Sequence, residues 1–305
     1  MNNLSINTPI LLIAFNRPDL VKKVFEEIKK AKPKKLFVSV DGPRNNEEKI
    51  KVDEVKKIVS NVDWPCKLNK RFQDKNLGII GGALGAIDWF FENVEEGIIL
   101  EDDAIPNQDF FKFCSELLKK YRNDEKIMQI NGCNFQRGWK REKYSYYFSK
   151  YAHTYGWATW RRARRKYDSK MQFYLELKKK KYFSDIFPNK IERKYILHIM
   201  DDAYFKIPEA IDTRWVYSVL INDGLCITPN ENLVQNIGFG KDATHTKKSD
   251  SFFSIPTNNL SFPLIHPQFI IRDRLSDERY AKWLFKNRVK KFIIKRFSFS
   301  LKHKK

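Results

Sequence analysis

Hydrophobic and polar positions in the first hundred residues follow two alternating patterns. A continuous apolar run at 9–15 predicts a strand that is covered on both faces, and the largely apolar segment 36–40 predicts a second strand. Between them, apolar residues at helical spacing over 20–28 predict a helix. A second strand–helix–strand pass follows, with a lysine-rich helix that ends near Val59 and a short strand near 67–72. This order predicts an α/β fold with a Rossmann-like mixed, mostly parallel sheet that is flanked by helices.

The pattern changes after about Ile130. Residues 144–160 are rich in aromatic side chains and irregular, whereas 161–181 and 195–217 have helical character, the second stretch being interrupted at Pro208. The C-terminal end is basic and carries apolar side chains at helical spacing, which predicts a helical extension beyond the sheet. The apolar positions of that extension are Phe285, Val289, Phe292 and Ile293.

Composition and charge restrict the possible partners. The chain has 305 residues, of which 42% are hydrophobic, so it is able to form a substantial core. Its formal net charge is +21, and 282–305 contain ten Lys or Arg residues and no acid. Such a surface attracts polyanions, which include nucleic acid, anionic lipid and phosphorylated substrates.

Cysteine usage and hydropathy bear on the cellular compartment. The four cysteines have no CxxC spacing and no histidines at zinc-like spacing, and the N-terminus does not have the pattern of a signal peptide. We therefore expect free thiols in the cytoplasm. The early apolar run 10–15 is too short to cross a bilayer, so we expect a soluble or peripheral protein. The four residues are Cys66, Cys114, Cys133 and Cys226.

An acidic triplet is the most informative chemical feature. The apolar run 97–100 ends in Glu101, Asp102 and Asp103. Carboxylates at the end of a buried strand lie where α/β sheets bind ligands. Because three neighbouring carboxylates repel one another, a divalent cation or a cationic partner would stabilise them, and such a cation suits a nucleoside-diphosphate substrate. The alternative is a solvated acidic turn before the helix that begins near Asn107.

Other polar residues follow strands at the same edge. Asn16 and Arg17 follow the first predicted strand and Asp41 follows the second. Arginine suits a phosphate and aspartate suits a base or ribose, although an ordinary turn and a surface arginine are equally simple interpretations. The loop that contains Asn76 and Gly78 runs into a helix, whose backbone N–H groups suit a phosphate or sugar hydroxyl. Glycine for tight packing of this helix is the alternative.

Further candidates lie in the second half of the chain. Trp157 and Trp215 would provide flat apolar surfaces for a sugar, or else belong to the core. Asp212, at the start of a predicted helix, is a candidate general base or an N-cap. His245 is a candidate metal ligand or phosphate contact.

This ordered set resembles the GT-A-fold nucleotide-sugar glycosyltransferases. Segment 100–111 resembles the Glu-Asp-Asp segment of the N-acetylglucosaminyltransferase I relatives, in which a proline-containing turn and an Asp-Phe-Phe helix start also follow. The resemblance covers roughly 8–246. Blocks at 76–78, 156–160 and 236–246 look like bacterial members of this group, which are sugar transferases of surface-polysaccharide assembly.

The resemblance implies roles for individual residues. Asp103, with His245, would hold Mn²⁺ or Mg²⁺ against the donor diphosphate, and Asp212 would be the general base of an inverting reaction. The sequence departs from the group's pattern at Ile211, where an aromatic residue is usual, so that Asp201 and Asp202 stay alternative bases. The donor would contact Asn16, Arg17, Asp41, Asn76, Gly78, Glu101, Asp102 and Trp157.

The resemblance also implies an overall function and domain organisation. We expect a metal-dependent glycosyltransferase that moves a sugar from a UDP-sugar or other nucleotide sugar to a glycan or lipid-linked acceptor. Residues 1–255 would form the catalytic domain, in which 1–135 bind the nucleotide sugar and 136–255 the acceptor, and 256–305 would be a basic extension. The alternatives are a nucleotidyltransferase acting on a sugar phosphate and a basic nucleic-acid-binding protein. The first usually has a glycine-rich phosphate loop after its first strand, which 14–18 lack, and the second does not explain acids at strand ends.

The basic C-terminal segment predicts a location. Lysine and arginine side chains add roughly 1 kcal/mol each near an anionic leaflet, while apolar side chains enter the interface. We therefore expect 282–305 to bring the protein to the inner face of the cell membrane as a peripheral protein. A solvated terminal helix is the alternative.

Overall fold

A computed structural model of the chain describes residues 6–238 and 254–284, arranged around one eight-stranded sheet. The strands are β1 Ile10–Ala14, β2 Lys35–Val40, β3 Lys67–Phe72, β4 Glu96–Glu101, β5 Ala104–Pro106, β6 Ile127–Asn131, β7 Tyr146–Ser149, β8 Trp157–Trp160, β9 Leu225–Pro229 and β10 Val234–Asn236. The helices are α1 Pro18–Ala31, α2 Asn46–Ser60, a π-helix Ile79–Leu84, α3 Gly85–Asn93, α4 Gln108–Lys120, α5 Arg161–Arg164, α6 Tyr174–Lys179, α7 Phe183–Ile186, α8 Lys190–Phe205, α9 Ile211–Ile221 and α10 Arg274–Leu284.

The strand order is β3-β2-β1-β4-β8-β6-β9-β7. The first four strands are mutually parallel, β8 and β7 run antiparallel to their neighbours, and β6 and β9 again run in the direction of β4. The α/β fold with a mixed, mostly parallel sheet is therefore confirmed. One consequence matters for function: the carboxyl ends of β1, β2, β4, β6 and β9 all lie at the same edge of the sheet, where α/β proteins bind ligands.

Alternating residues of the central strands pack on opposite faces of the sheet. Ile10 and Leu12 of β1 belong to a core cluster with α1, α2 and α4, whereas Leu11 packs into a second cluster with α3 and α9. Because both of its faces are covered, β1 is continuously apolar, as the sequence pattern predicts. A third cluster, around Tyr174 and Tyr217, holds α6, α7 and α8 against α9.

Three helices differ in extent from the sequence-based expectation. The expected helix 161–181 is two short helices, because the Asp168 carboxylate accepts hydrogen bonds from the N–H groups of Lys170 and Gln172 and forms a turn between them. Helix α8 begins five residues before the expected start at Tyr195, because Asn189 caps it. The helix expected from about Ala83 begins four residues earlier as the π-helix.

The described part of the predicted C-terminal extension packs on the sheet. Leu260 and Leu264 belong to the core cluster of α1, α2 and α4, and Arg272 forms a parallel bridge with Phe148 of β7. The Asp277 carboxylate on α10 accepts a hydrogen bond from Ser149 Oγ at 2.6 Å. The apolar positions predicted from Phe285 onward lie outside the described residues. All four cysteines are free, as expected, and no helix within the described ranges is long and apolar enough to cross a bilayer.

Candidate functional site

The acidic triplet lies at the carboxyl end of β4, in the middle of the sheet. Glu101 is the last residue of β4 and is paired in register with Ile13 of β1. Asp102 and Asp103 form the turn into β5, which pairs with β10 in a small second sheet. Asp102 is only 4% exposed, so the triplet is not the solvated turn that was the alternative interpretation.

Arg17 binds two of the three acids. It follows β1 and precedes Pro18, the first residue of α1. Its guanidinium forms an ion pair with Asp102, to which Nε also donates a hydrogen bond at 3.2 Å, and it pairs with Asp103 Oδ2 at 3.0 Å. Arg17 thereby fixes the orientation of two carboxylates, while its side chain stays 21% exposed, and the phosphate contact expected from the sequence stays a prediction.

Negative charge in this group exceeds positive charge. Burial, followed by the charges of Asp212, Asp103 and Asp102, raises the pKa of Glu101 well above its usual value, against the opposing effect of Arg17. Burial likewise raises the pKa of Asp102 to about 6, although Arg17 opposes this shift. Within the described residues, no hydrogen bond or ion pair reaches the Glu101 carboxylate. Such a surplus of buried negative charge favours binding of a cation.

Asp212 belongs to the same electrostatic environment. It lies in the first turn of α9, and its charge is the largest single charge effect on Glu101. The N-cap of this helix is Ala210, so Asp212 is not the capping residue that the sequence allowed as an alternative. The rival bases lie elsewhere: Asp201 accepts a hydrogen bond from Tyr174 at 2.7 Å and Asp202 pairs with Lys206 at 2.8 Å, both on the α8 side of the third core cluster.

The residues that follow β2 and β3 build a rigid loop. The Asp41 carboxylate accepts hydrogen bonds from the N–H groups of Leu77 at 2.9 Å and Gly78 at 3.0 Å. Asn76 Nδ2 donates to the carbonyl of Gly42 at 2.9 Å. Gly78 has a φ of 67°, which favours glycine. Asp41, Asn76 and Gly78 therefore determine the path of the loop, and the Asp41 oxygens are already occupied by backbone amides.

Arg71 fixes the other end of the same loop, and nothing in the sequence pattern singled it out. Its guanidinium donates to the carbonyl oxygens of Gly81 at 3.0 Å and Gly82 at 3.4 Å, and to Ser39 Oγ at 3.3 Å. These contacts hold the π-helix, a conformation that is common at functional sites. The available signal in the sequence is an arginine next to the end of a short strand that has few apolar residues.

Two other predicted donor contacts have their side chains engaged within the protein. Asn16 Nδ2 donates to Glu48 Oε1 at 3.1 Å and so ties the end of β1 to α2. Trp157 and Trp215 are 4% and 3% exposed, and their rings pack together 5.7 Å apart. The expectation of an open aromatic surface at Trp157 is therefore wrong, because β8 is an interior strand and its side chains are covered by the cluster around α3 and α9.

Gly238 approaches Asp103 closely, which the sequence did not reveal. The N–H of Ile237 donates to the carbonyl of Asp103 at 2.8 Å, and a Cβ at position 238 would overlap Asp103 Oδ2. The site is thus closed on one side by the backbone that follows β10. His245, the second predicted metal ligand, lies outside the described residues.

The donor set for a metal ion is small. No group of three or more His, Cys, Asp or Glu residues suited to a metal is present within 6–238 and 254–284. Glu101, Asp103 and Asp212 nevertheless supply hard oxygen donors, and Mg²⁺ is commonly held by one or two protein carboxylates with the remaining sites filled by water and substrate phosphate. A cation at this site would therefore need most of its ligands from water and from a phosphorylated ligand.

Comparisons with known proteins do not identify a family. No protein-family model and no curated protein matches the chain. Among solved structures, the chain is similar to that titled "Crystal structure of HddC from Yersinia pseudotuberculosis", with a TM-score of 0.32 and 10% sequence identity over 50% of this chain and 77% of that chain. A likeness at this level carries no argument about activity.

Proposed function

We propose that the protein is a glycosyltransferase that moves a sugar from a nucleotide sugar to a hydroxyl group of a glycan or lipid-linked acceptor, with inversion at the anomeric carbon. One observation carries the proposal: Glu101, Asp102, Asp103 and Asp212 share the carboxyl edge of the sheet, and Arg17 is the cation paired with the triplet among the described residues. A donor diphosphate together with Mn²⁺ or Mg²⁺ would supply the missing positive charge and bind where such sheets bind ligands.

The residues divide the chemistry between them. Asp212 takes the proton of the acceptor hydroxyl, whose oxygen then bonds to the anomeric carbon as the bond from that carbon to the diphosphate oxygen breaks. Arg17 holds Asp102 and Asp103 in place, and Asp103 would be a ligand of the cation. The cation, when bound, stabilises the charge that develops on the departing diphosphate. The loop held by Asp41 and Arg71 forms the wall of the donor site next to β2.

The basic C-terminal segment is part of the proposal. Ten cationic side chains between 282 and 305 would hold the enzyme at an anionic membrane surface, where a lipid-linked acceptor is found. Sedimentation with vesicles that contain anionic lipid tests this element: the full chain should sediment and a chain ending at residue 284 should stay in solution. Equal sedimentation of both chains would contradict it.

Calorimetric titration with UDP tests the central proposal. The wild type should bind UDP at least tenfold more tightly with Mn²⁺ than without it, and Asp103→Asn should lose this difference because its amide is a weaker cation ligand. Asp53→Asn, which changes an exposed carboxylate on α2, is the matched control and should bind as the wild type does. GDP and dTDP extend the test to other nucleotides.

Two outcomes would contradict the proposal. Failure of all three nucleotides to bind, or unchanged metal dependence in Asp103→Asn, would remove the donor site. Where a nucleotide binds, the products separate the two enzyme classes: release of the nucleoside diphosphate from a nucleotide sugar supports transfer, whereas release of pyrophosphate from a nucleoside triphosphate and a sugar phosphate indicates a nucleotidyltransferase.

A further inference from the structure

A recess lies farther along the ligand-binding edge of the sheet than the acidic triplet. It has a volume of about 280 Å³ and is lined by residues that follow β6 and by residues that follow β9. Three strand spacings separate β9 from β4, so the recess lies on the order of 14 Å from the strand that ends at Glu101. The lining includes Asn134, Arg137, Gly138, Asn230, Glu231 and Asn232.

Buried asparagines make the floor of this recess rigid. Asn232 Oδ1 accepts a hydrogen bond from the N–H of Asn134 at 2.9 Å, and Asn232 Nδ2 donates to the carbonyls of Ile255 and Pro256 at 2.8 and 3.1 Å. Asn230 Nδ2 donates to the carbonyl of Tyr144 at 2.6 Å, which leaves its Oδ1 without a donor among the described residues. The floor is preorganised and retains an acceptor for a ligand hydroxyl.

Arg137 lies at the rim of the recess, and its backbone has an unusual conformation. Residues 136–139 form a hydrogen-bonded turn in which Arg137 and Gly138 have φ values of 53° and 81°. Positive φ at both central positions is typical of an Asn-Gly turn, so an arginine at the first of them is strained, and such strain is concentrated at functional sites. The guanidinium lies over the ring of Trp283, 5.2 Å from its centroid.

The charge of Arg137 is available to a ligand. No hydrogen bond or ion pair to its guanidinium exists within the described residues, and its side chain is exposed. The two basic residues that follow in this loop are occupied, because Lys140 pairs with Glu231 and Arg141 pairs with Asp273. The carboxylate in the lining is therefore neutralised, and Arg137 gives the recess a net positive charge.

We propose that this recess binds a sugar unit that carries a carboxylate or phosphate group, with the anion on Arg137 and a ring hydroxyl on Asn230. This inference rests on the proposed transfer reaction, in which the recess would be a subsite for an acidic acceptor glycan. Residues 230–238 connect the recess and the acidic triplet directly, since they run from the floor of the recess to the contact between Ile237 and Asp103.

Binding of simple acidic sugars to the full chain, without nucleotide or metal, tests the inference. Glucuronate and glucose 6-phosphate are the probes, glucose and inorganic phosphate are the controls, and saturation-transfer NMR and calorimetry are the measurements. Arg137→Asn should weaken both acidic sugars at least tenfold and keep the protein folded, because Asn-Gly is favoured in this turn. Lys143→Asn, which removes an exposed charge six residues away, should leave binding unchanged.

Each other outcome would overturn the inference. The inference fails if neither acidic sugar binds, or if both bind equally well to the wild type and to Arg137→Asn. It also fails if inorganic phosphate binds as tightly as glucose 6-phosphate, or if the only binding that Arg137→Asn loses is binding to anionic vesicles. UDP binding with Mn²⁺ should be the same in Arg137→Asn and wild type. If acidic sugars bind through Arg137 but no nucleotide binds, the sugar site stands and the proposed transfer reaction falls.

Discussion

Two groups of ionisable side chains lie in the interior of this protein, and their charges are arranged differently. At the edge of the sheet, three carboxylates, those of Glu101, Asp102 and Asp103, lie beside one arginine, which pairs with Asp102 and Asp103. Beside α10 lies a second group, the balanced group, which consists of two ion pairs. Lys150 pairs with Glu192 at 2.7 Å and Arg272 pairs with Asp277 at 2.6 Å, so that the positive and negative charges are equal in number. Both groups consist of carboxylates and basic side chains, but the ratio of carboxylates to basic side chains differs.

Hydrogen bonding follows the same division. In the balanced group, Tyr151 also donates to Glu192, and Ser149 donates to Asp277 at 2.6 Å, so each carboxylate has two or more donors. In the acidic triplet, Asp102 is well bonded but Glu101 has no donor among the described residues. A complete network stabilises the fold, whereas an incomplete one at a ligand-binding edge leaves binding capacity.

The largest expected effect comes from breaking the balanced group. Lys150→Met should lower the free energy of unfolding by about 3–5 kcal/mol, because it leaves Glu192 buried without its cation. Urea unfolding at pH 7.5 measures the loss. Lys178→Met is the matched control: Lys178 pairs with Asp201 where both side chains are about one-third exposed, so that the loss should stay below about 1 kcal/mol. Similar losses in the two variants would show that the buried pair of Lys150 and Glu192 contributes no more to stability than a partly exposed ion pair does.

The acidic triplet should respond in the opposite direction. Glu101→Gln should raise the free energy of unfolding at pH 7.5 by about 1 kcal/mol, as substitutions in strained functional sites often do, and should abolish metal-dependent nucleotide binding. Because the pKa of Glu101 is raised in the folded protein, the folded state keeps a proton that the unfolded chain has lost, and wild-type stability falls as pH rises through this window. Glutamine does not titrate.

The pH dependence makes this prediction specific. The gain in Glu101→Gln should be present at pH 7.5 and should shrink towards zero near pH 4, where the unfolded chain also holds the proton. Glu125→Gln is the control, and its effect on the free energy of unfolding should have the opposite sign, because hydrogen bonding to Lys166 lowers the pKa of Glu125. A gain in Glu101→Gln that is independent of pH would mean that repulsion among the carboxylates is not its cause.

The sequence predicted the parts of this comparison that depend on local pattern. The strands β1, β2 and β4 are predicted from short runs of largely apolar residues, and the position of Glu101 follows from the end of the run in β4. Asp212 was placed in the first turn of a helix, where it lies. Once the strands are parallel, their carboxyl ends must share one edge, so the gathering of Arg17, Asp41 and the triplet was also predictable.

The sequence does not reveal which residues, far apart along the chain, pair with one another in the fold. Arg17 and Asp102 are 85 positions apart, and nothing local distinguishes an arginine that binds a carboxylate from one that binds a phosphate. Lys150 and Glu192 look like surface residues until β7 and α8 pack together. Trp157 was misjudged for the same reason, because its burial depends on α3 and α9 covering β8. By contrast, the start of α8 has a local signal in the sequence, because Asn189 is a residue type that caps helices.

The smallest effect on stability is expected for Gly238→Ala, which changes the shape of the site without changing its charge. In Gly238→Ala the new methyl group would overlap the Asp103 carboxylate, which must rotate and give up its contact with Arg17. This rotation should cost less than about 1 kcal/mol, because Asp103 lies at the rim of the site and is able to move towards solvent. Nucleotide binding with Mn²⁺ should nevertheless weaken about tenfold, since Asp103 is the proposed cation ligand.

A double-mutant cycle isolates that contact. If the overlap with Asp103 is the whole cause, Gly238→Ala should cost nothing further in an Asp103→Ala background, and the two changes should couple by roughly 0.5–1 kcal/mol in stability. Additive losses would instead mean that the alanine disturbs the backbone after β10, where Ile237 donates to the carbonyl of Asp103. The close approach of Gly238 would then serve the small sheet of β5 and β10, and the orientation of Asp103 would depend on Arg17 alone.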